Sequence, residues 1–269
     1  MLIFIFYYEN HTVEINYYTV PAGNPAVVRP FRIVHITDLH VCSWNKPSNL
    51  ARIVEIINGV KPDYVLMTGD YVSHYRELIP GCAKMLSGLK PIKKVIGTSG
   101  NHDWWVDCEY MSACLEKNGV IMLSNKFLRE NDNEADLCFI GIDDIYTGHD
   151  NIEKTFRDVP KNSYKILLSH SPDVIETAKE KNIDIVLAGH THGGQVRLPI
   201  IGAVYIPSKY GRKYAQGWFN DGNTKMFVNR GLGSIFPPIR FLCKKEIVVM
   251  EIVPGNGDVR TDRKRIVNL

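Results

Sequence analysis

Five of the nine histidines stand in short polar clusters: Asp38-Leu39-His40, Gly69-Asp70, Gly100-Asn101-His102-Asp103, Ser169-His170 and Gly189-His190-Thr191-His192. Each cluster alone says little, because Asp-x-His commonly caps a helix, Gly-Asp commonly makes a turn, and His-x-His is as readily a structural pair. Their combination says more. Carboxylates, an amide oxygen and imidazoles that recur in this way must be hydrated, paired or metal-bound. A mixed oxygen and nitrogen set suits Mn, Fe, Zn or Ni rather than Ca, and the number of donors suffices for two ions. Two cations ~3.5–4 Å apart lower the pKa of a shared water and clamp the attacking and leaving oxygens of a phosphoryl transfer. Metal-assisted phosphoester hydrolysis is therefore the leading chemistry.

Each cluster follows an apolar run of strand length. The runs are Phe31 to Ile36, Tyr64 to Met67, Lys94 to Ile96, Ile166 to Leu168 and Ile183 to Ala188, with Leu137 to Ile142 as a sixth. Most are apolar on both faces, as strands buried between layers require. Helical spacing appears between them at Leu50, Ile53, Val54 and Ile57, and helices are expected over Leu78 to Leu89, Val106 to Lys117, Asn151 to Val159 and Asp173 to Lys181. In such alternating chains ligands collect beyond the carboxyl ends of the strands, so the five clusters are expected to converge. After His192 the texture turns to Gly, Pro and aromatics, with strands expected at Lys225 to Asn229 and Glu246 to Val253. The chain reads as α/β, with an N-terminal strand or extension over residues 1–30 and a single domain over 31–269.

In order and spacing, the clusters resemble the motif set of the calcineurin-like metallophosphoesterases over about residues 31–253. Gly193-Gly194-Gln195-Val196-Arg197-Leu198-Pro199 and Asn229-Arg230-Gly231-Leu232-Gly233 are similar to the branch of bacterial membrane-associated phosphodiesterases and UDP-2,3-diacylglucosamine pyrophosphatases. The resemblance implies a two-sheet β-sandwich flanked by helices, a four-layer αββα arrangement. It implies that Asp38, His40 and His192 hold one metal, that Asn101, His170 and His190 hold the other, and that Asp70 bridges them. Two divalent ions follow as cofactors, Mn²⁺ foremost, with Fe, Zn and Ni as the other choices. His102 is implied to meet the scissile phosphate and protonate the leaving oxygen, with Asp103 holding its imidazole in orientation. Arg197 is a candidate phosphate contact. The implied activity is hydrolysis of a phosphodiester or pyrophosphate by a hydroxide that two metals activate, extending to lipid-linked substrates such as UDP-2,3-diacylglucosamine. The chain departs from that branch where Cys243-Lys244-Lys245-Glu246 replaces a Pro-rich tripeptide before the last strand.

With 45% hydrophobic residues in 269, the chain can bury a real core, which excludes disorder. Its formal charge of +3 hides an asymmetry, since residues 205–269 hold 12 Lys and Arg against 5 Asp and Glu. That patch suits an anionic substrate or an acidic membrane face, and the balance falls short of a dedicated nucleic-acid binder. Lys209, Arg212, Lys213, Arg230 and Arg240 lie there among aromatics, and Trp104 and Trp105 follow His102-Asp103 as candidates for a pocket mouth. Six cysteines without a CxxC pair read as reduced packing thiols. The apolar run from Leu2 to Tyr8 is too short to span a membrane and reads as the start of an edge strand that continues through Val13, Ile15 and Tyr17, with an interfacial anchor as the alternative. A cytoplasmic enzyme, peripheral at the inner face of the membrane, is the expected setting. The competing readings are a soluble nucleotide phosphodiesterase or nuclease of the same superfamily, and a metal-free protein-interaction scaffold on this fold.

Overall fold

A computed structural model describes residues 8–269 of the chain. Two mixed sheets form its centre. The first runs in the order β15 (Arg260–Asn268), β1 (Thr12–Pro21), β14 (Lys245–Val253), β2 (Phe31–Ile36), β3 (Tyr64–Thr68), β4 (Lys94–Thr98), β5 (Val120–Met122). The second runs β12 (Gly217–Asp221), β13 (Thr224–Val228), β9 (Ile185–Ala188), β8 (Tyr164–Leu168), β7 (Asp136–Gly141), β6 (Lys126–Asn131). A small antiparallel hairpin, β10 (Arg197–Leu198) with β11 (Gly202–Ala203), stands apart.

The doubly apolar strands divide their side chains between two cores. Phe31 and Ile33 of β2 and Tyr64 and Leu66 of β3 face the second sheet, where they meet Phe139, Tyr164 and Ile166. Val34, Ile36, Val65 and Met67 face the other way and pack on the helices Leu50–Val60, Ile79–Leu86 and Cys108–Lys117. On the far side of the second sheet Ile140, Leu167 and Val186 pack against the short helix Ile175–Glu180 and Tyr214. Alternation of side-chain direction thus converts each continuous apolar run into two buried faces, giving the four expected layers. All six cysteines are free, and five are buried.

Several expectations change. The strand expected from Leu2 falls largely outside the described residues; residues 8–11 are helical and β1 starts at Thr12. β1 is no edge strand, because it pairs in parallel with β14 on one side and antiparallel with β15 on the other. Residues 1–30 therefore contribute a strand to the first sheet. The basic run Arg263-Lys264-Arg265, which has the composition of a solvated tail, lies in β15, whose exposed cations guard the sheet edge against further pairing. The helix expected over Val106 to Lys117 starts at Cys108, after a separate turn of helix at Asn101–Val106.

Candidate metal centre

Three parallel strands of the first sheet (β2, β3, β4) and two of the second (β8, β9) end where the polar clusters begin, and the loops converge. His40 Nε2 lies 3.0 Å from His192 Nε2, and His192 Nε2 lies 3.3 Å from Asp38 Oδ1. On the other side His170 Nε2 lies 3.1 Å from Asn101 Oδ1 and 3.2 Å from His190 Nδ1. Asp70 Oδ2 stands between the two groups, 3.4 Å from His40 Nε2 and 3.2 Å from His170 Nε2. All seven of these side chains are buried. Asp38, His40 and His192 form one set able to hold a cation; Asp38, Asp70 and His170 form another.

The backbone bends sharply to achieve this. Asp38, His40, Asp70, His190 and His192 all have positive φ, from 45° to 67°. That left-handed region costs non-glycine residues ~1–2 kcal/mol each, a strain that clusters at functional sites. Glycines supply the close approaches. A Cβ on Gly231 would stand 2.6 Å from Asp38 Cβ, and one on Gly233 would stand 2.6 Å from His40 Cβ. The Leu232 and Gly233 N–H groups donate to the Thr37 and Asp38 carbonyls at 3.1 and 2.6 Å. The Asn-Arg-Gly-Leu-Gly segment therefore acts as a backbone brace for the first metal-ligand loop.

Two features suit cations. Asp38 Oδ1 is buried without a hydrogen-bond partner, as is His190 Nε2. Burial also depresses His40 and His190 to about 3, and His192 well below its ordinary range, which keeps the imidazoles neutral with a lone pair to give. His170 behaves otherwise. Burial opposes its charge, but the adjacent Asp70 carboxylate outweighs that and raises it, while His170 in turn holds Asp70 low against its own burial. His170 Nδ1, 2.7 Å from the Thr68 carbonyl, can only donate there, so Nε2 is the nitrogen aimed at Asp70. Burial pushes Asp38 up to about 6, with His170 pulling against it.

His102 sits at the rim, half-buried, its ring edge-on to His40 at 4.7 Å. One of its nitrogens lies within 4.8 Å of donor atoms of His40 and Asp70. The partner that orients it is not the one expected. His102 Nδ1 lies 2.9 Å from the carbonyl of Ser73, whereas Asp103 is fully buried and accepts from three backbone N–H groups: Asp70 at 2.8 Å, Tyr71 at 2.9 Å and Gly100 at 2.9 Å. Asp103 thus ties the loop after β3 to the loop after β4. Burial and the Asp70 carboxylate push it up to about 8, against the pull of the Gly100 and Tyr71 N–H donors.

The basic set divides as well. Arg240 is fully buried, and its guanidinium donates to the carbonyls of Gly233 (2.6 Å) and Arg230 (2.8 Å) while approaching His192 Nδ1 at 3.3 Å. Arg230 is clasped by Glu14 at 2.8 Å and Glu246 at 3.1 Å. Both cations are engaged within the protein, where they hold the brace. Arg197, on β10, donates from Nη1 to the Gly193 carbonyl at 2.9 Å, and Lys209, Arg212 and Lys213 are exposed.

Trp104 turns inward, stacked on His149 with Nε1 donating to Asp143 at 2.8 Å. Trp105 is exposed, 4.7 Å from the His102 ring, and Tyr146 stands 5.0 Å from His190. His74 is exposed and edge-on to His102 at 5.6 Å. His35 is buried in β2 with Nε2 2.9 Å from Thr68 Oγ1 and Nδ1 unpartnered. Sequence reasoning missed Ser73, whose hydroxyl lies 3.1 Å from His40 Nδ1 and whose carbonyl holds His102. Only its place three residues after Asp70 hinted at it.

A family model for calcineurin-like phosphoesterases matches residues 31–194. The uncharacterized metallophosphoesterase YkuE of Bacillus subtilis is 29% identical over 259 residues, spanning 93% of this chain and 89% of its own. Phosphodiesterase YaeI of Escherichia coli is 28% identical over 228 residues, 83% of each chain. Among solved structures, GAP50, the anchor in the inner membrane complex of Plasmodium, is similar in fold with a TM-score of 0.53 at 12% identity, over 90% of this chain and 89% of that one. Among the described residues no helix is long and apolar enough to cross a membrane.

Proposed function

The chain belongs to the calcineurin-like phosphoesterases, and on that premise we propose that it hydrolyses a phosphodiester or pyrophosphate bond with two divalent cations. In this reading Asp38, His40 and His192 hold one cation, Asn101, His170 and His190 the other, and Asp70 serves both. The observation that carries it is the location of Asp70 Oδ2, 3.4 Å from His40 Nε2 and 3.2 Å from His170 Nε2, in a pocket that also leaves Asp38 Oδ1 unpartnered. Cations bound there would supply Lewis acidity to a phosphoryl oxygen and acidify a water molecule. The mixed set of oxygen and nitrogen donors suits Mn²⁺, Fe, Zn or Ni, and the family resemblance puts Mn²⁺ first.

The chain's own residues do the rest. The Ser73 carbonyl accepts from His102 Nδ1–H and leaves Nε2 to carry the proton that passes to the departing oxygen. Asp103 acts at one remove, by holding the Asp70 and Gly100 backbones together. Arg197, fastened to Gly193 just after the His190–His192 loop, is the candidate contact for a further phosphate of the substrate. A lipid-linked substrate such as UDP-2,3-diacylglucosamine, met at the inner face of the membrane, fits the exposed aromatics Trp105 and Tyr146 at the rim and the basic C-terminal quarter.

The test joins metal analysis with turnover of bis(p-nitrophenyl) phosphate in Mn²⁺. About two ions per chain are expected, and His102→Gln should lower kcat/KM by ~10²–10⁴-fold while metal content stays unchanged. Turnover that survives chelation, or a His102 variant as active as the parent, would refute the mechanism. Zero metal in protein prepared without chelators would instead favour the scaffold reading. Comparing UDP-2,3-diacylglucosamine, cyclic nucleotides and simple monoesters then separates the substrate classes.

A further inference from the structure

Beyond the metal pocket, two loops carry apolar side chains into solvent. The tip of the β10–β11 hairpin presents Ile200, with a relative exposure of 108%, and Ile201, with Tyr205 just beyond it. The second loop presents Phe236, 76% exposed, with Ile239 and Leu242. The loops form one unit. Gln195 donates from Nε2 to the carbonyls of Ile235 and Pro237 and accepts from the Ile235 N–H, while the Arg197 N–H donates to the Phe241 carbonyl at 2.9 Å.

Folding does not explain these side chains. Ile200 has φ +68°, a conformation that β-branched residues avoid and that Gly or Asn takes readily. The sequence therefore keeps isoleucine at a tip where it packs on nothing and strains the turn. The charge around it is one-sided. From Gly193 to Asn220 there are four Lys or Arg and no Asp or Glu, and from Asn229 to Lys245 four more and again none. Arg230 and Arg240 are held internally, but Lys209, Arg212 and Lys213 are exposed, and Arg212 donates to the Ile201 carbonyl at 3.0 Å, just behind the apolar tip. Carboxylates near these cations are engaged: Asp173 accepts from the Lys209 N–H, Glu9 accepts from the Cys243 N–H and pairs with Lys244, and Asp221 and Glu176, which face Lys213, pair with Lys179.

We propose that this rim is a membrane-docking surface, in which Ile200, Ile201 and Phe236 enter the interface of an anionic bilayer while Lys209, Arg212 and Lys213 meet its headgroups. Projecting apolar tips backed by exposed cations match the chemistry of an acidic lipid surface. The hairpin grows directly from the loop of His192, so docking would bring the metal pocket to the lipid boundary without occupying it.

The experiment is co-sedimentation with vesicles of phosphatidylcholine alone or mixed equally with phosphatidylglycerol, at low and high salt. The parent should bind the anionic vesicles and be released by salt. The double variant Ile200→Asn, Phe236→Asn should bind at least ~10-fold more weakly, since each buried apolar side chain is worth about a tenfold change or more. Asn is at ease at the φ of Ile200, so the fold should persist, which an unchanged Tm and unchanged turnover of bis(p-nitrophenyl) phosphate would verify. Parent protein that ignores anionic vesicles at low salt overturns the proposal, as does a variant that binds like the parent. A concentration-dependent dimer that the variant abolishes, with no vesicle binding by either, would assign the rim to a second copy and equally overturn it. None of these outcomes depends on whether the metal pocket is active.

Discussion

Asp103 offers the sharpest test of how the centre is built. Replacing it with Asn keeps its size but leaves one carbonyl oxygen to serve the N–H groups of Asp70, Tyr71 and Gly100, and sets an amide NH₂ against at least one of them. Losing one hydrogen bond and leaving a buried donor unsatisfied costs on the order of 3 kcal/mol. For a chain of this size that lowers Tm by about 6–12 °C. Because the loop it releases carries Asp70, Mn²⁺ affinity should fall as well. His102 keeps its bond to the Ser73 carbonyl, so the pH at which kcat/KM declines on the alkaline side should not move. Differential scanning fluorimetry, Mn²⁺ titration and a pH profile on bis(p-nitrophenyl) phosphate read the three effects separately. A variant with parental Tm and metal affinity but a displaced alkaline limb would show that Asp103 acts on the His102 imidazole, and its role as a tie between two loops would be refuted.

Two further outcomes follow from buried charge. Burial lowers His35 to about 3 from its ordinary 6.5, so the unfolded chain binds the extra proton between those values and stability falls as pH drops below about 6.5. Between pH 7 and pH 5 this amounts to about 2 kcal/mol, which His35→Gln should remove, flattening the dependence of Tm on pH; an equal acid slope in parent and variant would contradict it. Arg230→Met strands the Glu14 and Glu246 carboxylates, at a cost of ~3–5 kcal/mol, while leaving KM for a small diester unchanged. A raised KM with an unaltered Tm would return Arg230 to the substrate.

The positions of the metal-ligand candidates were legible because the strands are apolar on both faces and end abruptly in Asp, Asn and His; nothing in core packing demands that pattern. The two-sheet architecture was legible for the same reason. What escaped was carried by backbone atoms. The Ser73 carbonyl and the three N–H groups around Asp103 leave no mark in side-chain type, so the neighbour in sequence stood in wrongly for the neighbour in space. Arg230 looks like a surface cation until Glu14, 216 residues away, is brought alongside. Arg240 looks the same until the carbonyls of Arg230 and Gly233 close around it. β15 was hidden by its own defence, since a strand made of Arg, Asp and Lys has the composition of a solvated tail.

The place of β1 bears on how the protein is made. Val13 pairs with Lys245 and Thr12 with Asn268, so a strand that leaves the ribosome early gains its ladder from two that leave it late. At ~5–20 residues per second a ribosome needs roughly 10–50 s to cover that stretch. During the interval every strand of the second sheet has emerged, while both rows of backbone groups on β1 lack their ladder partners. Completion of the first sheet thus waits on β14 and β15, and a product truncated before β14 leaves β1 without either neighbour and the β2 edge open.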